Sequence, residues 1–117
     1  MPKAEDLPIF TAWMQFLDWL LPTTEKFPKR VRFTFADRID TLALDIVEDL
    51  VEARYSRDKQ HLLKRINLRL EKLRILLRLC HQLQYLPHQG YEHAMRAINE
   101  VGRMLGGWLK QQEGQAR

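Results

Sequence analysis

The sequence predicts an all-α protein, an antiparallel up-and-down four-helix bundle. Three observations carry this: apolar residues recur at spacings of three and four along four stretches, the breaks between stretches are short, and no useful alternating run calls for a strand. The 117 residues, 45% hydrophobic, have material for one core and read as a single domain, 1–117, with 112–117 expected as a flexible C-terminal tail.

The first helix is expected from about Leu7 to Phe27, with Ile9, Trp13, Phe16, Leu17 and Leu20 on one face. Pro22 either ends it or kinks it, and Pro28 is the firmer stop because proline removes a donor and restricts the residue before it. The second helix runs from Val31 or Phe35 to Tyr55, on a stripe of Phe35, Ile39, Leu42, Ala43, Ile46, Val47 and Leu50. Ser56, Arg57 and Asp58 connect it to a third helix, Lys59 to Tyr85, whose main apolar face holds Leu62, Ile66, Leu70, Leu73, Leu77 and Cys80. Leu68, Ile75 and Leu79 lie on the opposite side of that helix. This second stripe exceeds what one bundle core uses, so it reads as a subunit interface or as scattered exposed leucine and isoleucine.

Pro87, His88, Gln89 and Gly90 punctuate the chain before a fourth helix, Tyr91 to Gln111, with Ala94, Met95, Ile98, Val101, Leu105 and Trp108 or Leu109 facing inward. Gly102 and Gly106 fall on neighbouring turns. Each weakens the helix, and close approach of another helix is the expected compensation.

The formal charge of +4 hides a segregation. From Ala36 to Glu52 the chain has six acids, Asp37, Asp40, Asp45, Glu48, Asp49 and Glu52, against Arg38 alone. From Arg54 to His81 it has nine bases, Arg54, Arg57, Lys59, Lys64, Arg65, Arg69, Lys72, Arg74 and Arg78, against Asp58 and Glu71. Arg65, Arg69 and Lys72 flank one edge of the third helix's core face, and Arg74 and Arg78 flank the other. The pattern fits phosphate contacts to nucleic acid, a normally solvated basic face, or pairing with the acidic second helix. Lys29, Arg30 and Arg32 form a second basic group where the second helix starts, either meeting phosphate together with unpaired backbone donors or forming a solvated loop.

Little points to catalysis. His61, His81, His88 and His93 make no HExxH motif, no nucleophile elbow or phosphate-binding glycine loop occurs, and Cys80 lies on an apolar face. A single cysteine excludes an intrachain disulfide, and no structural-zinc spacing is present. No catalytic residue, metal or cofactor is expected. Trp13 and Trp19 follow helical periodicity, which favours packing over base stacking. Glu5, Asp6 and Asp18 interrupt the apolar N-terminal stretch, so neither a signal peptide nor a membrane span is expected, and the cytoplasm is the expected compartment.

The run Val101, Gly102, Arg103, Met104, Leu105, Gly106, Gly107, Trp108, Leu109 resembles the C-terminal signature of the accessory variability determinant (Avd) family of diversity-generating retroelements. The Pro28-Lys29-Arg30 junction, the leucine-rich third helix and the Pro-His turn before the fourth recur in similar order, so the likeness spans Phe16 to Gln111. The intervening pattern also suits the related four-helix proteins encoded by ribosomal-RNA intervening sequences, which have no reverse-transcriptase role. The Avd resemblance implies a noncatalytic bundle assembled as a ring-shaped homopentamer with a basic surface. Its implied partners are template RNA, cDNA and the retroelement reverse transcriptase, in support of mutagenic cDNA synthesis. It makes Arg103 a recognition or interface residue, and Gly102, Gly106 and Trp108 structural.

Overall fold

The computed structural model describes residues 7–115. Its elements are α1 (Pro8–Glu25), a 3₁₀ turn (Lys29–Val31), a π turn (Arg32–Ala36), α2 (Asp37–Tyr55), α3 (Lys59–Gln82) and α4 (His88–Gln115). The extensive contacts run α1–α2, α2–α3, α3–α4 and α4–α1, a four-helix fold with no sheet among the described residues. Short connections force neighbours to run oppositely. The rod measures 48 × 21 × 21 Å, its length set by the 28-residue α4.

The apolar stripes close on one core. Trp13, Leu20, Ile39, Ile46, Leu50, Leu63, Ile66, Leu70, Leu73, Leu77 and Ile98 are fully buried. The Trp13 indole N–H donates to the Ala43 carbonyl at 2.9 Å, so the largest core side chain leaves no polar atom unsatisfied. Phe35, Leu42, Val47, Met95, Trp108 and Leu109 cover the flanks half-buried.

Pro22 neither ends α1 nor stands at its close; the helix continues to Glu25. The proline is on the exposed face, where the carbonyl it leaves unpaired can meet water. Just beyond it, the Thr23 hydroxyl donates to the Trp19 carbonyl at 2.7 Å. The buried Thr24 hydroxyl lies 2.7 Å from the Asp40 carboxylate, tying the end of α1 to α2.

The start of α2 is irregular for a reason of register. Arg32 precedes Ile39 by seven residues, two α-helical turns, so a regular helix would aim Arg32 into the core. The wider π turn absorbs one residue. Val31 is buried instead, and Arg32 and Phe33 stay outside.

Helix α3 ends at Gln82, before the expected Tyr85. Gln84 adopts φ 67°, with Gln84 N–H bonded to the His81 carbonyl and Tyr85 N–H to the Cys80 carbonyl, the bond pattern of a Schellman stop. Pro87 then precedes α4, which begins at His88 rather than Tyr91, so the residues read as punctuation form its first turn. Gly90 is tightly packed there: a Cβ would lie 3.0 Å from Leu86 Cδ1 and 3.4 Å from Trp19, so the leucine side chain would have to shift to admit one. At its other end α4 continues to Gln115, making 112–115 helical; 116–117 lie outside the described residues.

The expected close helix approach at Gly102 and Gly106 is not made within the chain. At Gly102 the missing side chain makes room for the Arg74 guanidinium, 3.2 Å from where a Cβ would sit, and Gly106 has nothing within 4 Å. Gly102 lies on the side of α4 toward α3, where an arginine head, not a helix backbone, fills the gap.

Burial raises the Asp40 pKa, the Thr24 hydrogen bond opposes this, and the Asp37 charge adds to it. A carboxyl with a raised folded pKa adds stability below its unfolded value of 3.8 and loses it as pH rises through the folded value. Asp40→Asn therefore unfolds at higher urea than wild type at pH 7, and this advantage shrinks as pH falls toward 3.8.

Candidate nucleic-acid interface

Asp49 sorts the basic residues. It sits on the α2 flank facing α3, 4% exposed, where an unpaired carboxylate would be costly. Arg65 and Arg69, one α3 turn apart, converge on it: Arg65 Nη2 is 2.8 Å from Oδ1, and Arg69 bonds Oδ2. Glu52 lies 3.5 Å from Arg65, and Asp45 3.9 Å from Arg69, extending the pairing along the α2–α3 seam. For these two arginines the structure realises pairing with the acidic helix.

The other expected phosphate ligands divide into tethered and free. Arg74 bonds Glu71 at 2.8 Å and Asn99 at 3.2 Å, lying over Gly102 as a polar strap from α3 to α4. Arg103 pairs with Glu100 on its own helix but remains 73% exposed. Such an exposed pair is weak and exchangeable. Lys64, Lys72 and Arg78 are exposed and form no ion pair among the described residues, as do Lys29 and Arg32. Arg30 lies over the Tyr85 ring, 5.5 Å from its centre.

These groups do not form one patch. Lys29, Arg30 and Arg32 stand at the end of the rod where Tyr85 of the α3–α4 turn meets the lead-in to α2, with Phe27 and Phe35 packed on the same ring. Arg78 is the nearest of the free α3 bases to that end, Lys64 lies 14 residues earlier along α3, and Lys72 is on the α2 side. Charge clustering along the sequence does not single out exposed Arg38 and Arg96, neither of which forms an ion pair among the described residues, nor Phe33, 80% exposed. Only the outward register of each hints at them.

The second stripe of α3 is open to solvent. Leu68 is 55% exposed, Ile75 46% and Leu79 38%. Leu68 and Ile75 join Leu42 and Leu76 in a groove of about 640 Å³ between α2 and α3, with Arg38 and Lys72 on its rim. Trp108 closes a smaller cavity with Ile9 and Met104 at the opposite end.

The chemistry of a catalytic centre is missing from the described residues. No group of three or more His, Cys, Asp or Glu is placed to hold a metal ion. Burial pushes the Cys80 thiol up to about 11, away from the thiolate a nucleophile requires. His81 and His88 approach at 3.3 Å, and His88 also contacts Glu92 at 2.9 Å, a turn-bracing chain at the head of α4. No described helix is long and apolar enough to cross a membrane.

The described residues thus form a four-helix fold with segregated charge and an open apolar groove between α2 and α3. The chain belongs to the bAvd-like family, whose model matches residues 9–112. Avd is an accessory protein of diversity-generating retroelements, and members of its family are noncatalytic. No curated protein sequence matches the chain.

Asp49→Ala leaves two part-buried arginines facing each other without their carboxylate. The expected loss is about 2–3 kcal/mol in urea unfolding, as for buried hydrogen bonds to charged groups.

Proposed function

We propose that the chain is a noncatalytic accessory protein of a diversity-generating retroelement that holds template RNA, or an RNA/cDNA intermediate, close to the reverse transcriptase during mutagenic cDNA synthesis. The observation that supports this most is the division of α3's bases. Arg65 and Arg69 hold the fold together, while exposed Lys64, Lys72 and Arg78 carry positive charge without an ion-pair partner among the described residues. Free lysine and arginine on a rigid helix attract phosphate without reading bases, which suits a template carrier that must accept any sequence. Arg103 and the Lys29–Arg32 group extend the positive surface, with Arg74 a lesser contributor because Glu71 and Asn99 hold it.

In this reading the protein works in the cytoplasm as a homopentameric ring. The α2–α3 groove and Leu79 supply apolar surface for the subunit contact, and open Gly106 leaves room for a neighbouring chain. The polymerase performs nucleotide addition, and repetition around the ring multiplies weak phosphate contacts.

The phosphate contacts are tested by RNA binding across a salt series. Lys64→Ala/Arg78→Ala lowers the slope of log affinity against log salt by about 1.4 for each subunit in contact with the RNA, because each single-strand phosphate that is no longer neutralised accounts for about 0.7. Helical circular dichroism is unchanged in this variant, and template-dependent synthesis by the cognate reverse transcriptase is reduced. An unchanged slope removes these residues from the interface.

Assembly is tested by mass in solution. Leu68→Asp/Ile75→Asp is expected to convert an oligomer to a folded monomer, because both positions are exposed in the isolated chain and buried only by a partner. A wild-type protein that stays monomeric at cellular concentration eliminates the ring.

A further inference from the structure

Phe33 is 80% exposed, the only one of the five phenylalanines presented to solvent. Phe27 and Phe35, near it in sequence, both pack against Tyr85, and Phe10 and Phe16 join the core. Its position is set by the backbone. The π turn that places Val31 in the core holds Phe33 outward, and buried Val31 and Ala36 fix that turn from both sides. The ring therefore has no local route to burial and forfeits the stabilisation a covered phenylalanine would give.

Its neighbours in sequence are cationic. Lys29 and Arg30 precede it by four and three residues, and Arg32 adjoins it. Lys29 and Arg32 are exposed and form no ion pair among the described residues. They border a cleft of about 340 Å³ that also contains Glu25, Asp37 and Asp40. These carboxylates oppose the dense, rigid phosphate array of a duplex. A flexible single strand can place one base on the ring and one or two phosphates on the lysine and arginine while its remaining phosphates turn away.

We propose that Phe33 is a stacking platform for an unpaired nucleobase, with Lys29 and Arg32 holding the adjacent phosphates, so that this end of the rod selects single-stranded over double-stranded nucleic acid. The assignment rests on the nucleic-acid reading above and adds to it a ligand class and a position. Stacking on a phenyl face is tolerant of sequence, as every base has a π face. A fixed aromatic ring also loses little freedom on binding.

The test uses fluorescence anisotropy of the full chain with a labelled single-stranded RNA and with a blunt duplex of the same sequence. Phe33→Ala is expected to weaken single-strand binding by about 5- to 150-fold while leaving its salt slope and duplex binding unchanged. Phe33→Trp is expected to keep the wild-type affinity, and Lys29→Ala/Arg32→Ala to lower the salt slope by about 1.4 for each subunit in contact with the strand. Wild-type single-strand affinity in Phe33→Ala overturns the proposal, as does an equal loss on single strand and duplex. A fall in oligomeric mass with unchanged single-strand affinity overturns it too, assigning Phe33 to a subunit contact. Wild type that binds neither oligonucleotide defeats the nucleic-acid reading itself, whereas binding that ignores Phe33 defeats only the stacking site.

Discussion

A buried carboxylate sets the constraint on which the charged surface depends. Asp49 lies on a flank of α2 that α3 covers, and a carboxylate so enclosed must be met by cations. Arg65 and Arg69 meet it from successive turns, fixing the register of α3 against α2. With two arginines engaged inward and Arg74 strapped to α4, Lys64, Lys72 and Arg78 are left exposed on α3. One packing requirement thus divides a helix of similar charges into residues that build the protein and residues that face its surroundings.

The lead-in to α2 follows the same logic at the end of the rod. The core accepts Val31 and rejects Arg32, and the backbone reconciles them by widening one turn. The Schellman stop at Gln84 swings Tyr85 back over Phe27 and Phe35, where its ring also meets Arg30. Two helix-terminal irregularities therefore support each other through one aromatic cluster. What they leave outside is a cationic segment with an exposed ring.

The apolar groove and the Asp45–Asp49–Glu52 seam lie along one helix pair. Toward the α2 C-terminus the seam is closed by ion pairs. Toward the α2 N-terminus it opens, and Leu42, Leu68, Ile75 and Leu76 line the opening. Polar closure and apolar exposure alternate along a single interface, so a partner docking at the open part need not disturb the closed one.

The four helices and most of the core were legible in the sequence because amphipathic period is local: Ile39, Ala43, Ile46 and Leu50 declare their common face without reference to any other helix. The spare stripe of Leu68, Ile75 and Leu79 and the opposed charges of the second and third helices were equally plain, as was the family likeness carried by the glycine and tryptophan run near the C-terminus. Tertiary structure alone decided which charges were free. Asp49 has the spacing of a surface acid, and only the approach of α3 makes it buried; Gly102 resembles a site for a helix backbone, and only the reach of Arg74 fills it with a guanidinium. The stop at Gln84 lacked the glycine that marks such turns, and the outward aim of Phe33 followed from a core register that periodicity within one segment does not contain. Local pattern determines the elements and their apolar faces, whereas the fate of each charge depends on distances between elements, which exist only after the helices have met.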